Sequence, residues 1–398
     1  MARILVTSGE ERSALAAVRS LGRSGHEVLV CSDSGRSLAG ASRWARHEVP
    51  VVSPLENPDE FALQIGRLAE RLECGIVLPV TDPAVLSVLS RREALPAVST
   101  VPFPSIETYR ALSDKEKVAR AASELDIAVP GQRVLSSPEE VTDEALSDLP
   151  YPVVVKPSRS VVAGTDGTLE KTAVSSAATS AELRRRLHST PRAHFPLLLQ
   201  EHIPGSGAGV FLLRWGERTY ARFAHRRLRE KPPTGGVSVY RESVEPPAGL
   251  FELSERLMEH FDWQGVGMVE YRVDACTGTP YVMEINGRLW GSLQLAVDAG
   301  VDFPRLLVSL ALGEDVAPVT TYATGVRSRW EWGDVDHLLQ RLKSRREHGP
   351  ALPRADGGPG LASFFIPWRP GDRCEVFRVT DPRPFFRETR QWISDAVS

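Results

Sequence analysis

The sequence predicts an α/β protein. A parallel-sheet, Rossmann-like domain comes first, then an α+β region, then a small C-terminal α/β extension. Three observations carry this. Residues 1–100 alternate short apolar runs with helical patterns, which is the logic of βαβ units. Residues 130–204 mix strands, turn residues and one helix in a short α+β segment. Residues 266–288 read as two β-branched strands joined by a tight turn, and the chemistry is organised around them.

Composition narrows the function classes. The chain has 398 residues, enough for two or three domains with their own cores. A net charge of -3 gives no reason to expect nucleic acid or an anionic membrane as partner. The first residues, Met-Ala-Arg-Ile-Leu-Val-Thr, turn polar too soon for a secretory h-region, and no run has the length of a membrane span. Cys31, Cys74, Cys276 and Cys374 are scattered without zinc-ligand spacing. Reduced thiols in a cytoplasmic protein are the expectation.

In chain order, Ile4–Thr7 is an expected strand, Glu11 to Leu21 a helix and Glu27–Ser32 a strand. A helix at Pro58–Leu72, a strand at Gly75–Val80 and a helix at Val85–Arg92 follow. A dinucleotide site is poorly supported. The first turn, Thr7-Ser8-Gly9-Glu10-Glu11-Arg12, has one glycine where the fingerprint needs three, and two acids where a pyrophosphate would sit. Asp33 is read as a loop cap. Thr81-Asp82 stands at the carboxyl end of a strand, where ligands bind in such sheets.

Ser113-Asp114-Lys115-Glu116 begins a helix with a capping box from Ser113 to Glu116. Val118, Ala121, Ala122 and Leu125 follow at helical spacing. Lys115 sits in the first turn, against the helix dipole. It is either a solvated lysine or one that faces a bound phosphate. Tyr151–Pro157 is a strand carrying Lys156 at the end of an apolar run, where its charge needs a partner. Ser158 to Thr168 is a loop of small residues with Gly164 and Gly167, a moderate signal for a phosphate cradle. A second strand, a helix near Ser180–Leu187 and the apolar strand ending Gln200-Glu201-His202-Ile203-Pro204-Gly205 complete this segment.

Strands are expected at Val210–Trp215, Thr219–His225 and Val237–Val244. Between the last two, His225 to Gly236 is basic and ends in Gly-Gly. It is either an ordinary charged loop or a lid whose Arg226, Arg227 and Arg229 clamp anions. A helix near Leu250–His260 leads into the strand pair. If that hairpin is symmetric about Thr277, Glu270 lies opposite Glu284, and Asn286 follows Glu284 on the same face. Opposed carboxylates repel. A hard divalent cation with oxygen ligands would offset the repulsion and implies a phosphate ligand. Salt bridges from arginines on an exposed hairpin would offset it too. Arg288–Leu295 should start a helix, and Phe303–Leu312 is another. The tail holds a strand at Val326–Trp332, a helix at Asp334–Arg345, a Gly/Pro-rich loop at 349–360 and a helix near Pro384–Val397. Trp330, Trp332 and Trp368 are read as core.

Taken together, these pieces resemble the ATP-grasp superfamily, in the branch of biotin carboxylase and the carbamoyl phosphate synthetase large subunit. The matching features are Asp-Lys at a helix start, a strand ending Lys-Pro, a small-residue loop, Gln-Glu-x-Ile-x-Gly, then Glu on one strand and Glu-x-Asn-x-Arg on the next. The resemblance covers about residues 1–315. It implies a pre-ATP-grasp domain at 1–112, an ATP-grasp domain at 113–315 with a lid at about 130–204, and an unplaced extension at 316–398. By this resemblance, Lys115 and Lys156 hold ATP phosphates under the loop of Gly164 and Gly167. Glu201, His202 and Ile203 form the adenine hinge, and Arg229 joins the nucleotide site. Glu270, Glu284 and Asn286 bind two Mg²⁺ or Mn²⁺ ions. Arg288 and Lys156 stabilise the transferring phosphoryl group. One departure is that the hinge is followed by Gly205-Ser-Gly-Ala-Gly-Val, where the family often has an acid for the ribose. Ser206 or a main-chain group is the substitute.

The implied activity is an ATP-dependent carboxylate–amine ligase that forms an amide through an acyl phosphate. Its partners would be a small carboxylic acid and an amine, amino acids among the candidates, with a homodimer as the default assembly. A bicarbonate-activating carboxylase is the nearest rival. A nucleotide-binding regulatory module without catalysis is the rival from another class, and an NAD-dependent oxidoreductase comes last.

Overall fold

The structure is a computed structural model that describes residues 1–164, 166–233, 235–348 and 372–397, and, of the last helix turns, only the backbone at 344–348 and 397. Four parallel strands open the chain: β1 (Arg3–Val6), β2 (Glu27–Ser32), β3 (Ala45–Pro50) and β4 (Ile76–Leu78), in the order β3-β2-β1-β4. Ile4, Leu5, Val28, Val30, Ile76 and Val77 are buried, as a sheet flanked by helices requires. Helices Arg12–Arg23, Pro58–Arg71 and Asp82–Ser90 connect them. Strand β3 was not expected. Its sequence Ala-Arg-His-Glu-Val-Pro is half polar because it forms the exposed edge of the sheet. The short helix Ile106–Leu112, capped by Ser105, is also additional. The capping box is displaced. Asp114, not Ser113, caps helix Lys115–Glu124, accepting from the Glu116 and Lys117 amides.

The next layer is an antiparallel sheet with a core of its own. Strands β5 (Gln132–Leu135), β6 (Val153–Pro157), β7 (Val161–Ala163), β8 (Leu169–Lys171), β9 (Ser175–Ala177) and β10 (Leu197–Glu201) follow in sequence. Four of them form the sheet β5-β10-β6-β9. Leu135, Val153, Val155, Leu183, Leu187, Leu197 and Leu199 bury against one another, with helix Ser180–Ser189 on one face. The expected small-residue loop is largely a two-stranded ribbon, β7–β8. The Leu169 amide donates to the Leu55 carbonyl at 2.7 Å, which ties this ribbon to the segment after β3.

A seven-stranded sheet completes the structure, built from β11 (Gly205–Trp215), β12 (Arg218–Lys231), β13 (Val237–Ser243), β14 (Gly265–Asp274), β15 (Pro280–Asn286), β16 (Arg327–Arg329) and β17 (Asp372–Cys374). Their order is β15-β14-β11-β12-β13-β16-β17. The stretch at 225–236, expected as a charged loop or a basic lid, is a correction on both readings: β12 continues through Lys231. Its arginines tolerate the sheet because neighbouring strands and helices supply acids, such as Glu242 beside Arg226. Arg288–Gly291 is irregular, and the helix expected there starts at Leu293.

The tail is stitched to the rest. Glu375 accepts from Arg12, and Asp381 from Arg19, both in the first helix. Trp332 stacks on Trp392 of helix Arg383–Val397 at 4.3 Å, and Trp330 donates to Glu388. The 349–360 loop and Trp368 lie outside the described residues. Among the described residues no helix is long and apolar enough to cross a membrane.

Candidate active site

The strand pair β14–β15 sets the site. Met268 pairs with Asn286, Val269 with Ile285 and Glu270 with Glu284, so these three pairs are symmetric about Thr277. The turn is closed by Asp274, whose Oδ1 accepts the Cys276 and Thr277 amides, and Gly278 takes a φ of +72° that favours glycine. Beyond Glu270 the register shifts, because Tyr271 pairs with Val282 and leaves Met283 unmatched. Such a bulge re-aims side chains. Met283 Sδ lies 3.6 Å from Lys156 Nζ.

Two lysines converge on Glu284 from different elements. Lys115 is buried at the start of its helix. Its Nζ is 3.2 Å from Glu284 Oε2 and donates to Ser160 Oγ at 2.8 Å. Its amide donates to the Ser158 carbonyl, which fastens the helix to the chain just past β6. Lys156 comes from β6, and a thioether is a weak partner for its charge. Burial lowers the Lys156 pKa, while Glu284 and Glu270 pull it back up. Burial also works against the Glu284 carboxylate, but Lys115 and Lys156 overcome it and hold the group at about 2. Glu270 moves the other way. Burial raises its pKa, and Glu284 adds to that against the pull of Arg227. Two carboxylates in one cleft are thus driven apart in acidity.

The rest of the motif is in place around them. Asn286 Nδ2 donates to Glu284 Oε1 at 3.1 Å. Arg288 donates through Nη2 to Asn286 Oδ1 and through Nε to Asp82 Oδ2 at 2.6 Å. Asp82, just past β4, also accepts from Tyr109 at 2.7 Å, so the parallel-sheet region contributes to this cluster. Asp82, Tyr109, Lys115, Ser160, Glu284 and Asn286 line a common cavity.

The residues expected to form the hinge, Glu201, His202 and Ile203, sit at and just past the end of β10. Glu201 is exposed and its amide is held by the Gly131 carbonyl; the buried Ile203 donates nothing from its side chain, but its carbonyl accepts from Arg272 at 2.9 Å. His202 is partly buried, and burial with the nearby Arg272 lowers its pKa. Gly164 and Gly167 lie at the tip of the β7–β8 ribbon, Gly167 with a φ of +74°, and the base of the ribbon reaches the site through Ser160.

Arg229 is a correction. It is buried and forks onto Asp334 at 2.6 and 2.5 Å, beneath the long helix Glu331–His348. The arginine that reaches the site is Arg227, whose Nη2 is 2.5 Å from Glu270 Oε2. Residues two apart on a strand share a face, so Arg227 and Arg229 could not both have been placed from sequence without knowing the bulges at 227–230. A signal did exist. Gly207 and Gly209 alternate on the intervening strand β11, and a Cβ on Gly207 would lie 2.7 Å from Arg227 Cδ. Gly207, in the stretch where a ribose acid was expected, leaves Arg227 the space to cross β11 to Glu270, whereas Gly209 makes room for Phe211 and Met268.

A divalent cation fits this donor set. Among the described residues no group of three or more His, Cys, Asp or Glu side chains is arranged as a metal cage. The strand pair instead offers two opposed carboxylates and an amide, hard oxygen donors of the kind that suit a cation which keeps waters and phosphate oxygens. The Asn286 amide would have to turn its Oδ1 from Arg288 to take part.

Comparison with known proteins agrees on the fold. The family described as "ATP-grasp in the biosynthetic pathway with Ter operon" matches residues 194–333. No curated protein matches the sequence. Among solved structures, the L-amino acid ligase from Bacillus licheniformis superposes with a TM-score of 0.62 at 16% identity, covering 79% of this chain and 75% of that one. Biotin carboxylase from Campylobacter jejuni gives 0.64 at 16% identity, covering 82% and 74%. N5-carboxyaminoimidazole synthetase from Staphylococcus aureus gives 0.61 at 13% identity, covering 82% and 80%. The fold is ATP-grasp.

Proposed function

We propose that this chain is an ATP-dependent carboxylate–amine ligase that releases ADP and phosphate. One observation carries the reading: Glu270 stands opposite Glu284 in a cleft where Lys115, Lys156 and Arg288 converge from three separate elements. Opposed carboxylates serve a fold poorly and serve a metal–nucleotide well. In this reading Glu270, Glu284 and Asn286 hold Mg²⁺ or Mn²⁺, two ions in all, and Lys115 and Lys156 hold ATP phosphates. Glu201, His202 and Ile203 border the adenine. The bound metal would supply positive charge that neutralises the phosphoryl oxygens.

The chemistry then follows from the groups present. A carboxylate oxygen of the acid attacks the γ-phosphorus, and the bond from that phosphorus to the β-bridging oxygen breaks to release ADP. Lys156 and Arg288 stabilise the charge that spreads over the phosphoryl oxygens. The amine attacks the acyl carbon, phosphate leaves, and the amine loses a proton to give the amide. The residues position and polarise, so no protein nucleophile is needed.

Hydroxylamine trapping tests the reading. Wild type and Glu284→Ala are supplied with ATP, Mg²⁺ and a panel of carboxylic acids that includes amino acids and bicarbonate. Hydroxamate and ADP formed together with one acid, and lost in the variant, are the expected result. ADP release with bicarbonate alone would move the activity to the carboxylase class. ATP binding without turnover for any acid would favour a regulatory module.

A further inference from the structure

Arg227 makes an unusual set of contacts for a cation beside a metal site. It leaves β12, crosses the glycine-bare face of β11 at Gly207 and ends on Glu270 Oε2 at 2.5 Å. Its other terminal nitrogen, Nη1, donates to Glu230 Oε1 at 2.8 Å and to the Gly236 carbonyl at 3.2 Å. Glu230 is buried on the same strand, so it anchors the guanidinium whatever happens at Glu270. One contact therefore faces the cleft and the others face the scaffold.

We propose that Arg227 is a positioning residue that competes with the divalent cation for Glu270, with Glu230 as its tether. This rests on the reading of Glu270 as a metal ligand. A guanidinium held against a carboxylate oxygen opposes a second cation at that group, both by occupying the oxygen and by its charge. Cation binding then detaches Arg227 from Glu270 while the Glu230 contact keeps its charge at the rim of the cleft. Metal loading and the disposition of a cationic side chain toward the phosphates become one event. The length of the side chain matters, because a lysine at this position is too short to keep both carboxylates.

Mn²⁺ alone is titrated into the full chain, and the free aqua ion is followed by electron paramagnetic resonance. Removing a competing charge at contact distance in a partly exposed site should tighten binding about tenfold in Arg227→Met. Arg227→Lys keeps the charge but gives up the contact, and should tighten it by roughly threefold. Glu230→Gln leaves Arg227 more firmly on Glu270 and should weaken binding by roughly threefold. A ranking with Arg227→Met tightest, then Arg227→Lys, wild type and Glu230→Gln supports the proposal. A structural role alone would weaken binding in all three. Unchanged or weaker binding in both arginine variants overturns the proposal while leaving the metal site intact. Should Arg227→Met not fold, the opposite signs of Arg227→Lys and Glu230→Gln carry the test. No Mn²⁺ bound by any of the proteins, even with a nonhydrolysable ATP analogue present, would remove the metal reading itself and the proposal with it.

Discussion

The two ends of the seven-stranded sheet both carry buried charge, but they arrange it in opposite ways. At the far end, opposite charges are matched one against another. Arg229 forks onto Asp334, Arg226 and Arg327 share Glu242, and Arg12 and Arg241 close on Glu375. The side chains of Asp334 and Glu375 are only 1% and 2% exposed. At the cleft end, two carboxylates face one another and each also has a cation, Arg227 on Glu270 and Lys115 on Glu284. Glu270 opposes Glu284, Lys115 and Lys156 approach the same carboxylate, and the two acids stay 22% and 26% exposed. Charges that complete one another belong to the fold. Opposed carboxylates that keep an edge open to a cleft suit the ligand proposed above.

The largest effect on stability should come from the matched end. Asp334→Ala leaves Arg229 buried without its fork and should cost about 3–5 kcal/mol in urea unfolding, with nucleotide binding kept in the protein that remains folded. If the variant unfolded no more easily than wild type, the far end would not be the structural half. The cleft end should answer differently. Glu284→Gln should reduce ADP release by about 10²–10³-fold, roughly 3–4 kcal/mol in activation free energy. Its unfolding midpoint should fall as well, because Lys115 and Lys156 hold the Glu284 carboxylate at about 2 and both lose that partner.

Gly207→Ala sits on the boundary between the two regimes. Its Cβ would meet Arg227 Cδ at 2.7 Å and Nε at 3.2 Å, and the backbone φ there gives no reason for glycine. A cost of about 1–3 kcal/mol in thermal or urea unfolding is expected from the overpacking. The same substitution at Gly216, where nothing lies within 4 Å of a Cβ, would report conformational strain instead, since its φ is +58°.

The smallest effect is a pH dependence at the far end. Burial pushes the Glu388 carboxyl up to about 7 in spite of the hydrogen bond from Trp330, and Glu331 adds to the shift. A folded-state pKa above the unfolded one means the native state binds the extra proton. Stability should therefore fall as pH rises from about 4.3 to about 7, and then level off. Glu388→Gln should remove that slope and gain about 1–2 kcal/mol at pH 8 with no gain at pH 4. A slope that persists in the variant would assign the titration to another group.

How far this was legible in the sequence depended on the range of the signal. The register of the hairpin could be read because a short turn fixes it, and Glu270 opposite Glu284 followed from counting about Thr277. Helix Leu250–His260 and strand Glu27–Ser32 were equally local, and both have the expected bounds. Two things were beyond reach. Strand β12 looked like a charged loop because its acidic partners, Glu242 and Asp334, lie elsewhere in the chain. The choice between Arg227 and Arg229 turned on register shifts between β12 and β13, which no periodicity encodes. Capping was a near miss of one residue, since Ser113 and Asp114 are both good caps and only the approach of Ser158 to the Lys115 amide favours the second.

The contrast between the two ends is tested most directly by urea unfolding with and without Mg²⁺ and a nonhydrolysable ATP analogue, on Glu284→Gln and Asp334→Asn side by side. A ligand at a hundred times its dissociation constant stabilises the native state by about 2.7 kcal/mol. The increment should be present in Asp334→Asn and absent or much reduced in Glu284→Gln, each measured from its own baseline without ligand. Equal increments in both variants would contradict the assignment of the cleft-end charges to the nucleotide and its metal.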